Sequence, residues 1–290
     1  MTGRAREGNS AMIASFRTEN LKTRKRWANW ILIGILLAWI LLLTYLTLFL
    51  VVTLSPKSIQ GPVPASVLKR RLFPENFVPT VLSAAGTIGA AIMLIFGALS
   101  TASEFGWLTV QTILIQKPTR VAVMFGKYLA VAAATLLISI LVFGAAALAS
   151  FAAVTFDGSS SSWPAWEVIL KGFGALLLQL TIWAAFGAFL GIAFRSTAAA
   201  IGGGLTYLFV GEALLGGLLR NTPIVKDVLR FLPGINGDAI NAAFPLTIRD
   251  SAGQTQLVGA GRGVITLLVY LVVFTVLSLL IFQRRDVGGS

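Results

Sequence analysis

The sequence predicts an all-α integral membrane protein. Three observations carry that expectation: long apolar runs, a charge content far below that of soluble domains, and basic residues gathered at the flanks of the runs. Of 290 residues, 56% are hydrophobic and 12% charged, and the mean hydropathy is +0.85. Soluble domains carry about 25% charged residues. Crossing a hydrocarbon core of roughly 30 Å takes about 20 helical residues. Six runs are near or above that length, at about 30–54, 78–102, 127–154, 172–194, 197–219 and 264–282. Residues 1–290 are therefore expected to form a single transmembrane domain, with 1–29 as its N-terminal flank.

Composition also excludes chemistry. Cysteine and histidine are both absent. No disulfide framework, thiolate or imidazole metal site, or histidine base is available to the chain. No cofactor is expected on it. The net charge of +12 sits beside apolar runs, which points to anionic lipid headgroups rather than nucleic acid.

Taken in order, the N-terminal flank holds Arg4, Arg6, Arg17, Lys22, Arg24, Lys25 and Arg26. This density of positive charge before the first span sets both termini in the cytoplasm if six spans follow. Within the flank, Met12, Ile13, Phe16 and Trp27 fall near one helical face. Either an interfacial helix on the cytoplasmic leaflet or an unstructured basic flank fits that pattern. The first run is too long for a signal h-region and lacks a small-residue cleavage pattern, so it is read as a span. Lys69, Arg70 and Arg71 fall in the first outer loop, where they form a solvated face or meet an anionic substrate.

The second and third runs enclose "SEFGWLTVQTILIQKPTR", residues 103–120, too polar for a bilayer interior and too apolar for an ordinary loop. Phe105, Leu108 and Ile115 share a rough helical side, and Pro118 ends the helix. "TFDGSSSSWPAW" (155–166) reads as an outer turn with interfacial tryptophans. Glu167 and Lys171 have the i,i+4 order of a surface pair. Gly187 and Gly191 in the fourth run, and Gly202 to Gly204 in the fifth, read as helix-packing positions. Arg195 and Ser196 alone separate the fourth and fifth runs, which requires a tight hairpin. Glu212 is the only carboxylate in the middle of a span; a role in substrate or proton handling and a structural hydrogen bond are both open. The segment 220–250 is expected to hold short helices resting on the outer surface.

At 103–127 the residues resemble the cytoplasmic loop of ABC-2-type transporter permeases. One branch of that family reads Glu-aromatic-x-Trp-Gly-Thr-[Leu/Val]-Arg-Thr-x-Leu, then Pro-x-Arg and a Lys opening the third span. The chain has Glu104, Phe105, Gly106, Trp107, Thr109, Val110, Thr112 and Leu114, then Pro118, Arg120 and Lys127. It departs at Leu108, where Gly is favoured, and at Gln111, where Arg is usual. "LFPENFVPTVLSAAGTIGAAIMLIFGALSTASEFGW" is similar to the family's second span, and "AFRSTAAAIGGGLTYLFVGEALL" to its fourth-to-fifth turn.

That resemblance implies a coupling helix over about 104–117, set between the second and third of the six expected spans, that docks into a cytoplasmic ATPase. It further implies two ATPase subunits, a second permease chain that is identical or different, and multi-pass location in a plasma membrane, the inner membrane of a prokaryote. The chain would then be a permease, expected to export an unidentified substrate, and not itself an enzyme. ATP and Mg would bind the partner, since no Gly-x4-Gly-Lys-[Ser/Thr] occurs and Gly126-Lys127 precedes a tyrosine. Two rivals stand beside it. An intramembrane enzyme needs paired polar groups within the spans, and a single mid-span carboxylate supplies little. A non-transporting scaffold or sensor that docks a cytoplasmic partner fits the same residues.

Overall fold

A computed structural model of the chain describes residues 15–55, 64–106, 120–214, 227–244, 246 and 257–284. Among them the regular structure is entirely helical. Helix α1 covers residues 15–25. Helix α2 runs over Trp27–Leu54, with Trp39–Leu46 in π geometry. The short α3 spans Ala65–Arg70, and a 3-10 turn at Pro74–Asn76 leads into α4, Phe77–Gly106. Then come α5 (Arg120–Asp157) and α6 (Trp166–Phe194). Helix α7 is α-helical over Thr197–Thr206 and π-helical over Tyr207–Leu214. Helix α8 is Pro233–Asn241 and α9 is Ala260–Arg284.

Four of these helices, α2, α5, α6 and α9, are long and apolar enough to cross a membrane, and α4 makes five if its bent halves count as one span. The chain is a membrane-embedded helical protein. Helix α4 bends by 53° between Pro74–Gly86 and Ile88–Ser103. Gly86, with open space where a side chain would be, sits at that bend. The expected fifth span is described only as far as Leu214; its remainder lies outside the described residues.

Helix α6 is the centre of the bundle: 67% of its most apolar stretch is buried, against 22% for α2 and 11% for α9. It packs most extensively on α4, and glycine is the reason. A Cβ on Gly97 would lie 2.0 Å from the Ala184 carbonyl oxygen, and one on Gly187 would lie 2.0 Å from that of Leu94. The two backbones touch through these positions, the arrangement small residues permit where water supplies no hydrophobic drive. Thr101 Oγ1 donates to the Ala188 carbonyl at 3.0 Å across the same seam. Gly187 and Gly191 thus act within the chain, as packing positions. Polar contacts tie on the outer helices. Ser150 of α5 donates to the Tyr45 hydroxyl of α2 at 3.0 Å, and the Tyr128 hydroxyl donates to Ser278 of α9 at 2.7 Å.

The hairpin at 195–196 forms as its spacing requires. Arg195 closes α6 in the left-handed region with φ 52°, and Ser196 Oγ accepts from the Ala199 N–H at 3.3 Å to cap α7. We call this end of the bundle, which also holds α1, proximal; the turn at 158–165 marks the distal end.

The structure departs from the sequence reading in three places. The second and third spans extend as helix to Gly106 and from Arg120, beyond the expected limits near 102 and 127. Hydroxyls explain the first extension: Ser100 bonds the Phe96 carbonyl at 2.8 Å and Ser103 that of Leu99 at 2.6 Å, so polar residues ride on the helix instead of ending it. The basic cluster at 69–71 is engaged within the chain: Lys69 pairs with Asp157, and Arg70 with Glu75 at 3.3 Å. Finally, α8 does not rest on a surface. Its Pro233, Ile235, Asn236, Gly237, Ala239 and Ile240 are buried, and it packs among α4, α6, α7 and α9. Glycine permits this, since a Cβ on Gly263 would lie 2.6 Å from the Asn236 carbonyl oxygen.

Candidate functional site

Two regions gather polar side chains inside this apolar bundle. The proximal one is a clasp. Glu19 of α1 is buried, the lone acid within residues 15–29, and its carboxylate meets Lys22 at 3.0 Å and the buried Lys127 of α5 at 3.1 Å. Lys127 also donates to the Ser100 carbonyl near the end of α4, at 3.2 Å. Arg26 donates to the Leu99 carbonyl at 2.9 Å, and Ser15 to that of Val123 at 3.3 Å. A buried ion pair persists only where its desolvation is offset by further hydrogen bonds, and here the α4 carbonyl supplies one. Helix α1 is thereby bonded to α5, and Arg26, just after it, to α4, the two helices that flank residues 107–119. The flank is helical at 15–25, which favours the helix over the unstructured alternative.

The sequence-derived candidates fall around that clasp unevenly. Glu104, Phe105 and Gly106 form the last turn of α4 and Arg120 the first residue of α5. Trp107, Thr109, Thr112 and Pro118 lie outside the described residues. Lys127 was legible as the residue opening a span. Its partner was not, because a single acid among basic residues reads as part of a solvated flank.

The distal region is a chamber of about 100 Å³ between α4, α6, α7, α8 and α9. Glu212 lines it, 7% exposed, from the π-helical part of α7. Both of its carboxylate oxygens lack a hydrogen-bond partner among the described residues. The Tyr207 hydroxyl and the Gly234 backbone lie beside it without hydrogen-bond alignment. Gly234 leaves room for the carboxylate, since a Cβ there would push Glu212 Oε2 aside. Gln179, Trp183, Asp238 and Leu267 complete the walls. The sequence marks Glu212, as a lone mid-span carboxylate, but not Gln179 or Asp238. Asp238 belongs to a segment whose glycines and asparagines read as surface.

A second cavity of about 590 Å³ adjoins the chamber, between α2, α4 and the end of α8. Trp39 and Thr44 from the π-helical part of α2 line it, with Asn241 on the far wall. Gln179 Nε2 donates to Asn241 Oδ1 at 2.8 Å, so the two cavities meet at one side-chain hydrogen bond. π segments recur where a helix wall is opened for function. In α2 the local reason is visible: Thr44 and Thr47 hydroxyls reach the carbonyls five residues back, at 3.4 and 2.8 Å.

Residues 76–288 match the model of a family described as protein of unknown function (DUF2705). The match covers well over half of the chain, which therefore belongs to that family. No curated protein matches it.

Proposed function

We propose that this member of the DUF2705 family is the membrane-spanning permease subunit of an ATP-driven ABC-2-type exporter. The observation that carries the reading is the proximal clasp. Helix α4 ends at Gly106 and α5 begins at Arg120, on either side of the segment 107–119, and the N-terminal residues 15–26 are bonded to both of them. A partner that moves that segment moves the bundle, because α4 is seated on the central α6. In this reading residues 104–117 are the coupling helix, the proximal end faces the cytoplasm, and a sixth span completes α7.

The alternation of states would be worked by a separate ATPase pair that binds ATP and Mg. Binding shifts such an equilibrium only as far as it favours one state over the other. The transport path is assigned to the distal chamber and its neighbour, divided by the Gln179–Asn241 bond. Helices α2 and α9, the least buried, offer faces to lipid and to a second permease chain, identical or different.

The experiment is affinity purification of the tagged chain from its native membrane, with ATP hydrolysis as the readout. An ATPase should copurify from wild type. Trp107→Ala should cost about 2 kcal/mol of docking if the ring fills a pocket, roughly thirtyfold in affinity. Absence of any ATPase, or recovery undiminished in a stable Trp107→Ala chain, overturns the coupling role. Copurification with hydrolysis that no transported substrate stimulates would favour the scaffold or sensor reading instead.

A further inference from the structure

The distal chamber has a chemical bias that its place in a transport cycle does not explain. Its unpartnered polar atoms are acceptors. Both oxygens of Glu212 are open among the described residues. The one amide donor on the wall, Gln179 Nε2, is already given to Asn241 at 2.8 Å and to the Ala175 carbonyl at 3.3 Å. Among the described residues no lysine or arginine lines the space, whereas two carboxylates do: Glu212, buried, and Asp238, exposed. Among the described residues the titratable groups facing Glu212 are Tyr207 from its own helix, Asp238 from α8 and Tyr270 from α9, and none of these is cationic. The Tyr207 hydroxyl and the Gly234 backbone are the donors beside it and neither is aligned; a buried carboxylate so poorly served is costly, so the site is built for something that brings donors and positive charge.

We propose that the chamber binds a compact primary ammonium group, seated on the Glu212 carboxylate and against the Trp183 ring. Three N–H donors on one nitrogen satisfy several acceptors at once, and the indole face attracts a cation that has left water. Size agrees: about 100 Å³ is roughly three waters' share of liquid volume, room for an ammonium with a short carbon stem. A calcium ion is a poorer fit, since it takes 6–8 oxygen ligands and one wall here is aromatic. The same chemistry is offered by a soluble amine and by the ethanolamine headgroup of a phospholipid. The inference rests on the chamber alone and survives whether or not an ATPase docks at the other end.

The test is calorimetric titration of the detergent-purified full chain with ethylammonium chloride, with potassium chloride of equal ionic strength as the blank. Saturable heat is expected, absent with potassium and absent with the bulkier tetramethylammonium. Glu212→Gln should weaken it at least tenfold. Asp238→Asn, at an exposed position that leaves folding intact, should weaken it severalfold through lost attraction. Repeating the titration in nanodiscs separates the sources. Loss of ethylammonium binding in phosphatidylethanolamine but not phosphatidylcholine discs identifies the headgroup as the natural occupant; equal binding in both identifies a soluble amine. Absence of saturable binding by wild type overturns the proposal. So does unchanged affinity in Asp238→Asn or in folded Glu212→Gln.

Discussion

Glu19 and Lys127 form a pair whose two members are worth less apart than either alone would suggest. Their side chains are 10% and 6% exposed, so removing Glu19 leaves the Lys127 ammonium buried without that counter-charge. Breaking a buried pair from one side costs about 3–5 kcal/mol, while replacing both partners by apolar residues is often neutral. Glu19→Ala should therefore lower the thermal midpoint of the detergent-solubilised chain sharply, and Glu19→Leu with Lys127→Met should restore most of the loss. A double variant as unstable as the single one would mean the pair is not the source of the stability. At the same scale, Ser196→Ala should cost about 1 kcal/mol through the lost α7 cap, and Ser196→Asp should retain it, both read as midpoint shifts.

At the scale of elements, the α4–α6 seam makes the clearest demand. Gly97→Ala would drive a methyl group into the Ala184 carbonyl, an atom of the backbone that has no rotamer to escape to. The expected loss is about 3 kcal/mol. Gly174→Ala on the same α6 meets nothing within 4 Å and should gain about 0.5–1 kcal/mol by stiffening the unfolded chain. Melting curves of the two variants beside wild type decide it: equal shifts would refute the seam. Elements were legible in the sequence to the extent that hydropathy speaks. Within the described residues each long apolar run is helical, because burial in lipid leaves the backbone of a single segment no other way to satisfy itself. Hydropathy is silent on winding, however, and Trp39–Leu46 and Tyr207–Leu214 look no different as π than as α. It also misplaces α8, whose Asn236 and Asn241 pair their amides inside the fold instead of with water.

For the whole molecule, topology is the open quantity that a measurement can fix. With no native cysteine, single probes have a clean background. Asn20→Cys on α1 should react with an impermeant maleimide only from the cytoplasm, and Ser160→Cys in the distal turn only from outside. Labelling of position 20 in sealed, right-side-out cells would invert the orientation read from the basic flank. The chamber was half legible for a related reason: Glu212 stands out within its own run, but its companions come from helices remote in sequence, and nothing in a linear pattern brings Gln179, Asp238 and Trp183 together. Distance along the chain has one more consequence, at the clasp. Glu19 and Lys127 are 108 residues apart, and synthesis proceeds at about 5–20 residues per second, so the acid waits about 5–20 s for its base. By then α4, whose Leu99 accepts from Arg26, has already been made, and it is the α5 side of the clasp that closes last. The earliest of the described helices thus keeps its buried acid unpaired with Lys127 until the start of α5 has been made.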